Sequence, residues 1–218
     1  MKRNEAMLLL KTSLESEKTE RQRIAADLHD SVSSDLSALR NYLVLLLKTE
    51  LDSKKTELIK EIKEGVETAI ENTRLVSYKL MPPLLDNLGF VVALEDYFNK
   101  LNKNSSQTFT LISKDDRYKF DATVGYELFR VLQEFTTNML KYGAITSCTI
   151  ALYIIDKSSY IEITDDGNAF NFNYEFTTSG GSGIKNISSR LKVIGATLLQ
   201  KEAITGNHFV ISLPLQIS

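Results

Sequence analysis

The chain has 218 residues, 43% of them apolar and 25% charged, with a formal net charge of −2. This is ordinary for a globular protein of one large or two small domains, and it lacks the basic excess of a dedicated nucleic-acid binder. A single cysteine, Cys148, and two well-separated histidines, His29 and His208, exclude an internal disulfide framework, a cysteine-rich zinc site and a histidine metal cluster.

No apolar run approaches the ~20 residues needed to span a bilayer; the longest are of the size of Leu43–Leu47. Lys2 and Arg3 precede Met7–Leu10, too short an apolar core for a secretion signal. The expected location is cytoplasmic. The chain opens inside a helical pattern, so a membrane or sensor segment upstream is compatible with it.

Residues from about 5 to 50 are predicted as one long helix. Its apolar positions Ala25, Leu28, Val32, Leu36, Leu39, Leu43 and Leu46 recur in steps of three and four, a seam for partner helices. Asp52-Ser53 marks a break and a cap. A second helix carries its own seam at Ile59, Ile62, Val66, Ala69, Thr73, Val76 and Leu80, and Pro82-Pro83 ends it. Two such helices cannot bury these seams alone. Pairing with a second copy makes a four-helix bundle, so a homodimer held by residues 20–80 is expected; the plainer alternative is an intramolecular helical domain.

Residues 84–104 suggest a short helix, Val91–Leu101, and a linker. Thr108–Leu111 alternates like a strand, and Ala122–Tyr142 is helical. Cys148–Ile155 and Tyr160–Thr164 form strands around a hairpin at Asp156–Ser159, and Gly183–Val193 is a helix. Thr197–Ala203 and Phe209–Leu213 close with a second hairpin. The expected class is α+β: helices on one face of a mixed, mostly antiparallel sheet, behind the N-terminal hairpin. The expected division is 1–82 for the hairpin, 83–106 for the linker and short helix, and 107–218 for the sheet domain.

Four segments carry chemistry. His29-Asp30 sits at the edge of the first seam, toward solvent. A neutral imidazole has a nucleophilic nitrogen near pH 7, and the neighbouring carboxylate can take the released proton or hold the ring's tautomer. A surface histidine in a charged helix is the plainer reading of that pair alone. In Leu128–Gly143, Arg130, Glu134, Asn138 and Lys141 share one helix face. The amide oxygen of Asn138 can ligate magnesium and Lys141 can neutralise phosphate, as a nucleotide triphosphate requires. Asp165-Asp166-Gly167-Asn168-Ala169 follows a strand, where a carboxylate can accept from an exocyclic amine. Ser179–Asn186, with Gly180, Gly181 and Gly183, runs from a glycine-rich loop into a helix and presents backbone donors to phosphates.

In this order and spacing the segments resemble a bacterial sensor histidine kinase of the nitrate-sensor and desaturase-sensor subfamily, from about residue 20 to the end. ERQRIAADLHD resembles the phosphoacceptor box and LMPPLLDNLGFVVAL the stretch after the second bundle helix. LQEFTTNMLKYG resembles the N box, DDGNA the G1 box and GGSGIKNISSR the lid and G2 region. The resemblance implies a Bergerat-type ATPase domain, an α/β sandwich. It implies His29 as the phosphorylated histidine, Asp30 as its general base, and Asn138 as the Mg2+ ligand with Glu134 supporting it or orienting water. Lys141 would contact phosphate, Asp165 would read the adenine amine of ATP, Gly167 would shape the pocket, and Gly181 and Gly183 would be lid glycines. It further implies transfer to an aspartate of a response regulator receiver domain.

Four positions depart from the family pattern. Ser34 stands where an amide often positions water for dephosphorylating the regulator. Tyr142 follows Lys141 in place of histidine, and Ala169 replaces a glycine. Gly206-Asn207-His208 replaces a glycine-threonine pair, with His208 either substituting beneath the nucleotide or lying on the strand surface, the reading favoured here. These departures give footing to a rival, a non-catalytic nucleotide-sensing scaffold. Two further rivals fit less well: an anti-sigma-type kinase does not explain the His29 box, and for a chaperone ATPase the chain is also short.

Overall fold

The computed structural model describes residues 2–49, 52–113, 120–178 and 182–214. The chain forms two compact units, one of Thr12–Pro83 and one of Leu84–Ser218 with Met1–Lys11. Among the described residues no helix is long and apolar enough to cross a membrane.

The first unit is a helical hairpin. Helix α1 (Lys2–Asp27) passes through a π turn, Leu28–Val32, into α2 (Ser33–Leu46), and α3 (Ser53–Leu80) returns. The expected single helix is therefore interrupted where one extra residue enters the ladder. Asp52 caps α3, its side chain accepting from the Lys55 amide at 2.8 Å. Ala25 and Ile70 are buried, and Ser77 Oγ donates to the Ala25 carbonyl at 3.1 Å, tying α3 to α1. No side chain of α2 is buried. Along the two predicted seams Val32, Leu39, Leu46, Ile62 and Val76 are each at least 39% exposed, so the hairpin leaves much of its apolar surface uncovered.

The second unit is a five-stranded sheet with strand order β1-β2-β3-β5-β4. Strands β1 (Thr108–Ser113) and β2 (Ser147–Ile155) are parallel. Strands β3 (Ser158–Asp165), β5 (Asn207–Pro214) and β4 (Thr197–Lys201) add antiparallel. Alternation places Cys148, Ile150 and Leu152 of β2 on one face, opposite Asp165, Ile163 and Ile161 of β3, which in turn oppose Asn207, Phe209 and Ile211 of β5. All nine are buried. Burial also pushes the Cys148 thiol up to about 12, with help from the nearby carboxylates of Asp165 and Asp166.

Helix α6 (Ala122–Asn138) supplies the other half of this core through Leu128, Val131, Leu132 and Phe135, and continues as a second π turn, Met139–Gly143. Phe135 meets Phe209 at 5.1 Å between ring centroids. The stretch read as a short helix and linker forms two helices, α4 (Pro83–Leu88) and α5 (Phe90–Asn104). Helix α5 packs through Tyr97, whose ring meets Phe129 and whose hydroxyl shares a 2.8 Å hydrogen bond with Thr136. Asn102 then pairs both its amide groups with the Phe109 backbone, at 2.7 and 2.9 Å, covering part of the free edge of β1. Helix α7 (Phe172–Thr178), absent from the sequence expectation, and α8 (Ser182–Val193) complete the unit.

Helices α6 and α8 are joined by a buried ion pair, Arg190 Nη1 to Glu127 Oε2 at 2.7 Å, with both side chains less than 10% exposed. Removing one partner strands the other charge away from water. Glu127→Ala is expected to lower unfolding free energy by about 3 to 5 kcal/mol, read from urea titration by circular dichroism; a loss under about 1 kcal/mol, typical of a solvated pair, would contradict the burial seen here.

Candidate functional site

The π turn in the hairpin carries His29. One extra residue per turn costs regular hydrogen bonding, and such turns recur at functional positions. His29 and Asp30 are exposed, with side chains 72% and 80% accessible, and the imidazole Nδ1 lies 2.9 Å from Asp30 Oδ1. When Nδ1 carries the shared proton, Nε2 carries the lone pair. Earlier on α1, Arg23 bridges Glu20 and Asp27, and the guanidinium holds the Glu20 carboxyl below its ordinary range. Ser34 is exposed, one turn beyond Asp30.

The second unit contains a cavity of about 660 Å³. Five of the sequence-predicted residues line it from four elements: Glu134 and Asn138 from α6, Lys141 from the π turn that follows, Asp165 from the end of β3, and Gly183 from the start of α8; Tyr142 joins them from the same π turn. Arg130, expected on the same face, does not line it and instead hydrogen-bonds Gln133 one turn along. Gly181 lies outside the described residues.

Two glycines let backbone approach the site. A Cβ on Gly183 would stand 2.4 Å from Glu134 Oε1 and 3.1 Å from Asn138 Nδ2, so the start of α8 sits directly on those two side chains. Gly167 does not line the cavity. A Cβ there would stand 2.3 Å from the Gly143 carbonyl, and the Asn168 amide donates to that carbonyl at 2.7 Å. Gly167 thus docks the turn after β3 onto the π turn and shapes the cavity wall from behind.

Asp165 is 8% exposed. Its Oδ1 accepts from the Gly167 amide at 2.9 Å and from Asn207 Nδ2 at 3.1 Å, while its Oδ2 is buried with no hydrogen-bond partner. A carboxylate oxygen left so lacks the donor that offsets its desolvation. Asn207 also lines the cavity, a residue not predicted as part of the site. His208, one residue on, faces the open side of the sheet, where its Nε2 lies 2.6 Å from Glu162 Oε1. It is a strand-surface residue.

The neighbouring carboxylate has a different task. Asp166 accepts from the amides of Thr146 and Ser147 at 2.8 and 2.9 Å and from both their hydroxyls, pinning the turn to the start of β2. The Ser147 amide and Thr146 hydroxyl hold its carboxyl well below the usual range.

Residues 20–85 match the histidine kinase family HisKA_3. In fold the chain is similar to the blue-light activated histidine kinase EL346 of Erythrobacter litoralis, at 11% identity and a TM-score of 0.52, over 85% of this chain. The chain spans 59% of that protein's length. It is likewise similar to the histidine kinase domain of the same protein, at 14% identity and a TM-score of 0.54, over 92% of this chain and 94% of that one. The match to the HisKA_3 histidine kinase family thus lies in residues 20–85, in a chain whose fold is similar to that of a histidine kinase domain.

The low carboxyl of Asp166 fixes a sign. A group whose folded-state pKa is depressed stabilises the fold above its unfolded value and loses that contribution as pH falls through the folded value. Asp166→Asn is therefore expected to lower Tm at pH 7, and the gap from wild type is expected to narrow on acidification below about pH 4. Thermal melts at pH 7 and pH 3 check this; a gap that widens in acid would contradict the assignment.

Proposed function

We propose that this chain is an ATP-dependent protein-histidine kinase, which takes the γ-phosphoryl group of ATP onto His29 and passes it to an aspartate of a response regulator receiver domain. The observation that carries this reading is His29 itself: an exposed imidazole, engaged at Nδ1 by Asp30, inside the family segment.

The chemistry follows from the ring. With its Nδ1 proton directed at Asp30, the imidazole presents the Nε2 lone pair for in-line attack on the terminal phosphorus. As the N–P bond forms and the bond to the ADP oxygen breaks, positive charge grows on the imidazole. Asp30 offsets that charge and takes the Nδ1 proton. The cavity fits the nucleotide on three counts: its volume falls within the range of small-molecule sites, Asp165 Oδ2 needs the donor an exocyclic amine supplies, and Lys141 stands on its wall for the phosphates. Asn138 and Glu134 are hard oxygen donors of the kind magnesium accepts beside phosphates. Bound there, the metal neutralises charge on the phosphates.

The open hairpin supports a homodimer. Leu39, Leu45, Leu46, Ile62 and Val76 are each 46% exposed or more, and a second hairpin laid against them completes a four-helix bundle.

With radiolabelled ATP and magnesium, His29→Ala is expected to abolish acid-labile labelling while nucleotide affinity stays within about twofold of wild type. Labelling that persists in this variant removes His29 from the reaction; a wild type that binds ATP and never labels is the nucleotide-sensing scaffold instead. Asn138→Ala is expected to weaken magnesium-dependent nucleotide binding by at least about tenfold, the loss of a charge-assisted contact, as measured by calorimetry with and without the metal.

A further inference from the structure

The second unit holds another cavity, of about 350 Å³, at the low end of the range for small-molecule sites. Its walls come from α7, α8 and β4. Ser188, Leu191 and Lys192 stand three and four residues apart, so one face of α8 supplies all three.

The lining sorts by chemistry. Phe172 and Leu191 are 6% and 3% exposed, and with Leu198 they form an apolar floor. Ser188 and Lys192 add a hydroxyl and an ammonium one helical turn apart. No carboxylate lines this cavity, and among the described residues none pairs with Lys192. The polar side is therefore cationic with no acid of its own. An occupant that matches both sides carries an apolar body and a negative charge.

Phe172 borders this cavity and the nucleotide cavity alike. Its ring meets Phe135 and Phe209 at 6.4 and 6.0 Å between centroids. Gln200 of β4 clips the same segment in place: its Oε1 accepts from the Phe172 amide at 2.9 Å, and its Nε2 donates to the Phe170 carbonyl at 2.6 Å. Residues 170 to 172 thus form a partition with one cavity on either side.

We infer that this outer cavity is a ligand site for a small amphipathic carboxylate, and that its occupant strengthens nucleotide binding by bracing Phe172. The apolar floor takes the body and the Lys192 ammonium takes the charge. With the space behind the partition filled, the nucleotide meets a wall already ordered and loses less freedom on binding. The site itself is independent of the nucleotide reading of the other cavity; the coupling rests on that reading.

The probe is 2-naphthoate, with 2-naphthylmethanol as its uncharged counterpart. The chain has no tryptophan, so naphthalene fluorescence reports binding to the full chain. Wild type is expected to bind the acid about fivefold tighter than the alcohol, the upper worth of a solvent-accessible ion pair, and Lys192→Gln to erase that difference. Ser188→Leu fills the cavity and is expected to abolish binding of both probes while leaving ATP affinity in their absence unchanged. Ala196→Leu is the second filler, used if melts show that Ser188→Leu does not fold. With 2-naphthoate saturating, ATP is expected to bind at least about fivefold tighter, and ATP to tighten 2-naphthoate by the same factor. Probe binding that a folded filler variant leaves intact, or that ATP displaces, overturns the site. A probe that binds there and leaves ATP affinity within about twofold overturns the coupling. A wild type that binds the probe and no ATP removes the nucleotide reading, and the coupling with it, while the outer site stands.

Discussion

The register of the central strands is the constraint on which the sheet unit depends. The pairing that sets Ile161 against Ile211 and Ile163 against Phe209 also sets Asp165 against Asn207. The polar pair at the cavity is the last rung of a hydrophobic ladder. Because side chains alternate strictly along a strand, a slip of one residue would turn the apolar rungs to solvent and the Asp165 carboxylate to the open face. Core packing therefore holds the site in place. Gly206 shows how tightly: at φ +67° it brings β5 in so close that a Cβ would stand 1.8 Å from the Asp165 carbonyl, a conformation and an approach that only glycine tolerates.

The helices reach their sites by another device. Both π turns follow a long α-helix, and each presents residues of interest, His29 in the hairpin and Lys141 with Tyr142 beyond α6. Inserting one residue into the ladder rotates what comes after it relative to what came before. Glu134 and Asn138 stay on the α-helical face above the core, while Lys141 and Tyr142 reach the cavity from the π turn. The left-handed Ala144, at φ 51°, then reverses the chain toward β2.

Much of this could be read from the amino acids. The two hairpin helices, the strands and α6 announce themselves by the period of their apolar residues, and the cap at Asp52 and the stop at Pro82-Pro83 are local chemistry. Glu134, Asn138, Asp165 and Gly183 were visible as residue types at helix-face and strand-end positions, and the structure gathers them around one cavity. The π turns were not visible, because a seam stepping in threes and fours absorbs one extra residue without breaking. Helix α7 was missed because Phe172–Thr178 is short and holds few periodic positions. His208 was read as a strand-surface residue, as the structure has it, but Asn207 beside it was missed. Which of two adjacent residues faces the cavity depends on pairing with β3, some forty residues earlier, and no local pattern reports that.

Cys148 lies on the same rung as Asp165, and it is the chain's one thiol. Closed in by β1 and β3 and 1% exposed, it is held as the unreactive protonated form while the sheet is intact. The sulfur is thus a built-in gauge of breathing in the innermost strands: an alkylating reagent reaches it only when the layer around it parts, whatever the hairpin is doing at that moment.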